Sequence, residues 1–288
     1  MKKLIVLLVF FLGSLATAHA EDPPVYTYDQ YGRLTSCPAM YEGACTGKRE
    51  VACPAQSART GVILAIGQSQ AANTGAKRVV TQFPDRVVNY FGGKCFVASS
   101  PLLGASAPEG EFITMLADDL IKSGTYQAVV ILAAAIHGTE IARWKAGGDL
   151  NGMLLQWLST VKGKYRITDI VWHQGESDYG QGKNPQAYAA DFNSMLGSLR
   201  GIGVNAPIFI GVTTYCGTQI PWTADNPIAL AQKQLADPGR KIYVGANSDQ
   251  LLTKADRRED ACHFAESGQR KVAAAYAAAI TRVQRAAK

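Results

Sequence analysis

The chain has 288 residues, of which 47% are apolar and 18% are charged, and its formal net charge is +6. This composition is typical of a globular protein and excludes a disordered or fibrous chain. Because 29 Lys and Arg side chains are set against 23 Asp and Glu side chains, a strongly cationic surface of the kind that binds nucleic acid is also excluded. The length suits one large domain.

The first twenty residues have the features of a secretory signal peptide. Lys2 and Lys3 precede an unbroken apolar run, and the segment ends in the small-residue step Ala18-His19-Ala20. Its removal takes away two lysines and lowers the formal charge from +6 to +4. No later apolar run reaches the roughly 18 residues that a membrane span requires. We therefore expect a periplasmic or secreted protein without a membrane span.

The cysteines predict structural disulfides. An even number, six, in an exported protein favours disulfides over metal ligands, and we expect pairing among the first three and their neighbours. The sequence contains no Cys-x2-Cys pair, and the stretch with the first three cysteines contains no His, so we expect no metal site. The six are Cys37, Cys45, Cys53, Cys95, Cys216 and Cys262.

Two parts of the chain differ in pattern. Residues 21–58 carry Pro, Tyr and Cys without a sustained period, which predicts an irregular N-terminal extension held by disulfides. From residue 59 to residue 288, short runs rich in Val and Ile alternate with helical patterns, which predicts one further domain. The predicted strands are 61–67, 128–135, 168–174, 206–214 and 241–247. The predicted helices are 109–124, 185–203 and 267–288, the last with Ser267 as its cap.

The alternation of strands and helices predicts an α/β fold. We expect a three-layer α/β/α sandwich with a mostly parallel, doubly wound sheet, because unbroken apolar strands must be covered on both faces. In such a sheet, ligands bind beyond the carboxyl ends of the strands. The residues directly after each predicted strand are therefore the first candidates for chemistry.

Polar segments follow three of the predicted strands. Ser69 leaves the first strand on a turn that can present its hydroxyl at the edge of the sheet, although a serine there can also simply cap a helix. Gly138 follows the second strand, where a backbone N–H can approach a substrate oxygen without interference from a Cβ. Gln174 follows the third strand, and its amide can donate to a developing oxyanion.

A carboxylate and an imidazole lie close together near the C-terminus. Asp260 precedes His263 by three residues, a spacing that lets the carboxylate hold the tautomer of the imidazole that accepts a proton. Of the four histidines, His19 belongs to the predicted signal peptide, so His137, His173 and His263 are the candidates for a general base.

Four segments carry a family resemblance. GQSQ, HGTEIARW, HQGESD and DACHF, in this order and at these separations, resemble the sequence blocks of the SGNH hydrolase superfamily. Within it they are most similar to the sialate O-acetylesterase-like family, which also contains acetylxylan esterases (carbohydrate esterase family 6). The resemblance covers most of residues 61–280 and does not include residues 21–58. HQGESD is the most specific of the four segments.

The resemblance implies a role for each matched residue. Ser69 matches the nucleophile, and Asp260 and His263 match the acid and the base. Gly138 and Gln174 match oxyanion-hole donors, together with the backbone N–H of Ser69. The family fold agrees with the sandwich predicted above.

The chain departs from the family pattern at two positions. Gln70 stands where the family usually has Asn, which affects the hydrogen bonds that support the serine turn. His137 stands in place of the first Gly of a Gly-Gly-Thr segment, which can place an imidazole in the substrate pocket.

The roles of other residues near the strand ends can be interpreted in two ways. Glu176 is either a second carboxylate that assists or replaces Asp260, or an acceptor of hydrogen bonds from its own loop, and we favour the second reading. His173 directly follows Trp172, which favours a packed structural histidine. Five residues are candidates for the substrate rim, although each can equally be an ordinary packed side chain or a solvated charge: His137, Arg143, Trp144, Tyr215 and Trp222.

One disulfide is predicted beside the proposed acid and base. Cys262 lies between Asp260 and His263, and Cys216 follows the fourth predicted strand, whose end is expected nearby. A bond between Cys216 and Cys262 would restrain the loop that carries His263.

These observations lead to one main hypothesis and two alternatives. The main hypothesis is an exported serine esterase that removes O-acetyl groups from an acetylated carbohydrate such as sialic acid or xylan, without a cofactor. The first alternative is an O-acetyltransferase, in which a sugar hydroxyl instead of water takes the acetyl group from Ser69. The second is a carbohydrate-binding protein with a silent triad. The sequence leaves the oligomeric state and the particular sugar open.

Overall fold

The computed structural model describes residues 26–36, 40–41, 45–46, 48–217 and 226–286. The predicted signal peptide, Cys37 and Trp222 lie outside the described residues. Within these ranges, no helix combines the length and the hydrophobicity needed to cross a bilayer.

Short strands precede a series of alternating strands and helices. The strands are β1 (Thr27–Tyr28), β2 (Leu34–Ser36), β3 (Met40–Tyr41), β4 (Cys45–Thr46), β5 (Glu50–Val51), β6 (Thr60–Gly67), β7 (Val87–Phe91), β8 (Lys94–Val97), β9 (Ala128–Ala133), β10 (Asp169–His173), β11 (Ile208–Val212) and β12 (Ile242–Asn247). The α-helices are α1 (Ile113–Lys122), α2 (Asp149–Val161), α3 (Glu176–Gly180), α4 (Pro185–Gly201), α5 (Pro227–Gln234), α6 (Ser248–Leu251) and α7 (Glu266–Ala286).

Eight strands form one sheet in the order β12-β11-β10-β6-β9-β7-β8-β5. The strands from β12 to β7 run parallel to one another, and β8 and β5 are antiparallel to their neighbours at one edge. β6 lies inside the sheet, with later strands added on both sides of it. This arrangement is doubly wound and places the ends of β6, β9 and β10 next to one another.

Both faces of the sheet are buried. On β6, Val62, Leu64 and Ile66 pack on one face while Ile63 and Ala65 pack on the other, and all five are fully buried. Side chains of α2, α4 and α5 cover the first face, and side chains of α1 and α7 cover the second. A strand that is buried on both faces needs no polar alternation, so its sequence is an unbroken apolar run. The predicted three-layer sandwich with a mostly parallel sheet is confirmed.

The structure adds elements that the sequence analysis did not name. β7 and β8 form a hairpin whose turn residues, Gly92 and Gly93, have φ values of 58° and 84°, as a two-residue turn of this hand requires. α2 carries buried leucines four residues apart. The last helix begins at Glu266, so Ser267 lies inside its first turn and does not cap it.

Several described residues of the N-terminal extension contact the rest of the chain. Its strand β5 is the edge strand of the main sheet, where it pairs with β8. Leu34 in β2 is fully buried, and its N–H donates to the Ala105 carbonyl at 2.9 Å. A disulfide joins Cys53 to Cys95 and ties the extension to β8. β2, β5 and Cys53 are therefore joined to the rest of the chain.

Candidate active site

Three strand ends meet at one edge of the sheet. β6 ends at Gly67, whose register partner is His173 at the end of β10. On the other side of β6, the Ile136 N–H donates to the Gly67 carbonyl at 3.0 Å, so the chain after β9 stays beside β6. The segments that carry Ser69, Gly138 and the residues after His173 therefore start side by side.

Ser69 lies in a short 3₁₀ turn, Ser69–Ala71, just after β6. Gly67 has a φ of 131°, and a Cβ there would lie 2.2 Å from the His173 carbonyl oxygen, so the chain can turn here only at a glycine. The Ser69 carbonyl accepts a hydrogen bond from Thr74 Oγ1 at 2.7 Å, and Ser69 is 6% exposed. The turn thus holds the candidate nucleophile at the carboxyl end of the central strands.

Asp260 and His263 form a hydrogen-bonded pair. Asp260 Oδ2 lies 2.7 Å from His263 Nδ1, while Oδ1 accepts the backbone N–H groups of Cys262 and His263 at 2.9 Å each. Partial burial acts to raise the pKa of Asp260, but the hydrogen bonds from the His263 side chain and from these two N–H groups outweigh it, so the pKa is lowered. The ionised carboxylate keeps the ring proton on Nδ1 and leaves Nε2 as the basic atom.

Gln70 joins the serine turn to the loop that carries His263. Its Nε2 donates to the Cys262 carbonyl at 2.7 Å, and its Oε1 accepts the Phe264 N–H at 3.2 Å. The two contacts lie on either side of His263, and Gln70 directly follows Ser69. The residue that departs from the family pattern therefore makes two supporting hydrogen bonds in this chain.

A disulfide and an arginine restrain the same loop from the other side. Cys216, which follows β11, forms a disulfide with Cys262. Arg257 Nη1 donates to the Tyr215 carbonyl at 3.1 Å and to the Cys262 carbonyl at 2.8 Å. The segment around His263 is thus attached to the ends of both β6 and β11.

Gly138 lies at the exposed start of the turn after β9. Its φ of 67° is in the left-handed region, and a Cβ there would meet no atom within 4 Å, so the space beside it is open. Thr139 Oγ1 donates to the Ile136 carbonyl at 2.8 Å and accepts the indole N–H of Trp144 at 3.1 Å. These bonds hold the turn that carries Gly138 in its shape.

The Gln174 amide is turned toward protein acceptors. Gln174 is fully buried, and its Nε2 lies within hydrogen-bond distance of Gln68 Oε1 (3.1 Å), the Thr139 carbonyl (3.0 Å) and a carboxylate oxygen of Asp178. Two amide protons are thus already shared among three acceptors. A role as oxyanion donor requires Gln174 to exchange one of them for the substrate.

Glu176 is buried and contacts a threonine. Its Oε1 accepts a hydrogen bond from Thr213 Oγ1 at 2.9 Å, and burial raises the pKa of Glu176 to about 7. The acid that contacts His263 is Asp260. The interpretation of Glu176 as an accessory acid therefore receives no support from its position.

His173 lies inside the domain. Its Nδ1 is 3.0 Å from the Tyr276 hydroxyl, and its ring packs edge-on against Phe112 and Phe264. Burial and, to a smaller extent, the nearby Arg257 lower the pKa of His173 to about 3. A neutral ring in this environment is structural.

Two of the predicted rim residues are buried. Trp144 is 0% exposed and Tyr215 is 2% exposed, so the prediction that these aromatic side chains line the substrate rim is wrong. Trp144 packs in the hydrophobic core, and Thr139 supplies an acceptor for its indole N–H, so its burial leaves no unpaired donor. Arg143 is half exposed but forms an ion pair with Asp149 at 2.6 Å. His137 is exposed next to Gly138.

Two residues that sequence reasoning missed support the site. Asp178 is fully buried, and its Oδ2 accepts the Ile141 N–H at 2.9 Å as well as the Gln174 amide, so it joins the segments after β9 and β10. The sequence signal for Asp178 was its position in the HQGESD segment. Ser106, whose side chain contacts His137, lies in a loop that carries no motif, so the sequence offered no signal for it. Within the described ranges, no group of three His, Cys, Asp or Glu side chains is arranged to hold a metal ion.

Comparisons with solved structures identify the same fold at low sequence identity. A protein from Arabidopsis thaliana has a TM-score of 0.61 and 13% identity over 79% of this chain and 98% of its own. A carbohydrate acetylesterase from Xanthomonas citri has a TM-score of 0.53 and 14% identity over 78% of this chain and 57% of its own. A lipase/acylhydrolase from Enterococcus faecalis has a TM-score of 0.52 and 13% identity over 77% of this chain and 96% of its own.

The sequence comparison is more specific. Curated protein sequences gave no match. A family model described as carbohydrate esterase, sialic acid-specific acetylesterase matches residues 60–282, which include every strand from β6 to β12 and all four motif segments. The chain therefore belongs to this family of carbohydrate esterases, which are carboxylic ester hydrolases with the SGNH hydrolase fold.

Proposed function

We propose that the protein removes O-acetyl groups from a carbohydrate through an acetyl-enzyme on Ser69. The observation that carries this proposal is the Asp260–His263 pair, in which Oδ2 and Nδ1 are 2.7 Å apart. Gln70 attaches the loop of this pair to the turn that bears Ser69. A serine hydroxyl is a weak nucleophile until a neighbouring base takes its proton, and His263 Nε2 is the basic atom of this edge.

In the first half of the reaction, the acetyl group moves to the enzyme. His263 Nε2 takes the Ser69 proton while Oγ forms a bond to the acetyl carbonyl carbon, and the carbonyl oxygen becomes an oxyanion. The backbone N–H groups of Ser69 and Gly138 donate to this oxygen. His263 then gives its proton to the sugar oxygen as the ester bond breaks, which leaves acetyl-Ser69 and a free sugar hydroxyl.

In the second half, water releases acetate. His263 takes a proton from water as the water oxygen bonds to the acetyl carbon, and the proton then returns to Ser69 Oγ as the acyl bond breaks. Asp260 stays ionised throughout and stabilises the imidazolium that forms twice. Gln174 can strengthen the oxyanion site if its amide turns one proton from a protein acceptor to the substrate.

Hydrolysis of p-nitrophenyl acetate tests the nucleophile. Ser69→Ala should lower kcat by at least about 10³-fold, because loss of the nucleophile leaves only binding and oxyanion stabilisation. The folded state is checked by the thermal unfolding temperature of the variant. Undiminished turnover in a folded Ser69→Ala protein would remove Ser69 from the mechanism.

We also propose that the protein acts outside the cytoplasm. The supporting observations are the signal-like first twenty residues and the Cys53–Cys95 and Cys216–Cys262 disulfides, which persist in oxidising compartments. N-terminal sequencing of the exported protein should begin at Glu21. A cytoplasmic full-length product with reduced cysteines would contradict this localisation.

A further inference from the structure

The turn after β9 carries a second pair of a hydroxyl and an imidazole. Ser106 Oγ lies 2.7 Å from His137 Nδ1 and accepts the His137 backbone N–H at 2.9 Å. Ser106 is fully buried, whereas His137 is exposed. Burial excludes Ser106 as a second nucleophile, because a substrate cannot reach its Oγ. The hydroxyl therefore acts on the imidazole and not on a substrate.

The position of Ser106 is set by the sheet. Its N–H donates to the Ala135 carbonyl at 2.9 Å, which extends the pairing of β9 on the side away from β6. Upstream in the same loop, Leu103 is held by the buried Asn89 side chain of β7. Asn89 accepts the Leu103 N–H at 2.8 Å and donates to the Leu103 carbonyl at 3.3 Å. The loop thus holds the hydroxyl in a constant position beside His137.

The hydroxyl selects one tautomer of His137. Within the described part of the chain, His137 Nδ1 is the only acceptor within hydrogen-bond distance of the Ser106 hydroxyl. If Nδ1 carried the ring proton, the buried hydroxyl hydrogen would have no acceptor, which is unfavourable. The neutral His137 ring therefore carries its proton on Nε2, on the far side of the ring from Ser106.

The segment that carries His137 runs beside the end of β6, the strand that leads to the candidate nucleophile. Ile136, next to His137, is hydrogen-bonded to Gly67, two residues before Ser69, and Gly138 follows His137. The acetyl carbonyl must reach the Ser69 turn at the floor of the site, while the larger sugar extends toward solvent. An exposed side chain at the rim is therefore placed to meet the sugar.

We propose that His137 is a specificity-determining residue whose Nε2–H donates a hydrogen bond to an oxygen of the sugar that carries the acetyl group. Ser106 is the positioning residue that holds this tautomer. The inference rests on the proposed function and assigns His137 to the alcohol part of the ester and not to the oxyanion.

Two esters separate the sugar contact from the chemistry. p-Nitrophenyl acetate has an acetyl group but no sugar, whereas xylose tetraacetate has both. His137→Ala should lower the ratio of kcat/KM for the sugar ester to kcat/KM for p-nitrophenyl acetate by about tenfold, the usual size of one lost hydrogen bond. His137→Gln, which retains an N–H donor near the position of Nε2, should recover much of this ratio.

Two kinetic outcomes would overturn the inference. An equal loss on both esters would place His137 at the oxyanion, and an unchanged ratio would show that it does not contact the sugar. Both differ from failure of the proposed function, which would appear as p-nitrophenyl acetate turnover that survives in Ser69→Ala.

The tautomer has its own spectroscopic test. In protein labelled with ¹⁵N-histidine, long-range ¹H–¹⁵N spectra should show His137 as the Nε2–H form, with His137→Ala used to assign the signal. Ser106→Ala should shift this signal toward the Nδ1–H form and lower the ester ratio, whereas Ser106→Thr, which keeps the hydroxyl, should preserve both. An Nδ1–H signal in the parent protein would refute the role of Ser106 even if Ser106→Ala fails to fold.

Discussion

Two imidazoles at the edge of the sheet are held by partners of different chemistry. His263 Nδ1 faces the carboxylate of Asp260, so Nδ1 carries the proton and Nε2 is an acceptor. His137 Nδ1 faces the hydroxyl of Ser106, so Nε2 carries the proton and is a donor. The comparison shows that the partner of one ring nitrogen decides whether the other takes a proton or gives a hydrogen bond.

The two histidines also differ in what holds their backbone. His137 comes four residues after the end of β9, and the chain between them is held by hydrogen bonds that continue the sheet. His263 lies in a loop before α7, and that loop is attached by Gln70 and by the Cys216–Cys262 disulfide. Changes to these attachments should therefore disturb His263 and spare His137.

Removal of the anionic partner should have the largest effect. Asp260→Asn no longer holds the His263 proton on Nδ1, and we expect kcat for p-nitrophenyl acetate to fall about 10³- to 10⁴-fold. Glu259→Gln, which neutralises the adjacent exposed carboxylate, is the matched control and should stay within about twofold of the parent. Full activity in Asp260→Asn would contradict the assignment of the acid.

Loss of the Gln70 attachment should have the next largest effect. Gln70→Ala removes both hydrogen bonds around His263, and we expect kcat to fall about 10- to 100-fold, because small displacements of a base are costly. Gln56→Ala is the matched control, since Gln56 makes the same two kinds of bond to the Arg166 backbone, at 2.6 and 2.8 Å. Equal kcat values in the two variants would show that Gln70 does not position the base.

Loss of the Cys216–Cys262 disulfide should lower kcat less than loss of Gln70 does, but more than loss of the Cys53–Cys95 disulfide does. We expect the double variant Cys216→Ala, Cys262→Ala to lose about tenfold in kcat while still folded, because the loop gains freedom. The double variant Cys53→Ala, Cys95→Ala should lower the unfolding temperature and retain kcat, since that bond ties an edge strand. Similar kinetics in both double variants would reject a specific role for the loop restraint.

The smallest effect concerns the stability contributed by Glu176, which contacts neither imidazole. Its pKa of about 7 lies above the ordinary value of about 4.3, so the folded state binds more protons than the unfolded state between these pH values. Its contribution to stability is complete below pH about 4.3 and is lost as the pH rises through 7. The free energy of unfolding should therefore fall less between pH 5 and 8 in Glu176→Gln than in the parent, by on the order of 2 kcal/mol. Denaturant titrations at both pH values measure it, and parallel losses would contradict the buried neutral carboxyl.

The positions of two aromatic residues could not be predicted from the sequence. Trp144 and Tyr215 follow strands, so a rim position was a reasonable expectation, but the fold supplies Trp144 with a buried acceptor in Thr139 and buries Tyr215 as well. The β7–β8 hairpin, in contrast, had a signal in the Gly92-Gly93 pair between two apolar runs. It could have been predicted from the sequence alone.

The layered fold and the segments that carry Ser69, Gly138 and His263 could be predicted from the order of the amino acids. This was possible because strands buried on both faces must be unbroken apolar runs, and parallel strands end at a shared edge. Which polar atoms meet at this edge depends on how distant segments pack in three dimensions. Ser106 and His137 are 31 residues apart, and Gln70 and Cys262 are 192 residues apart, distances along the chain over which local periodicity carries no information.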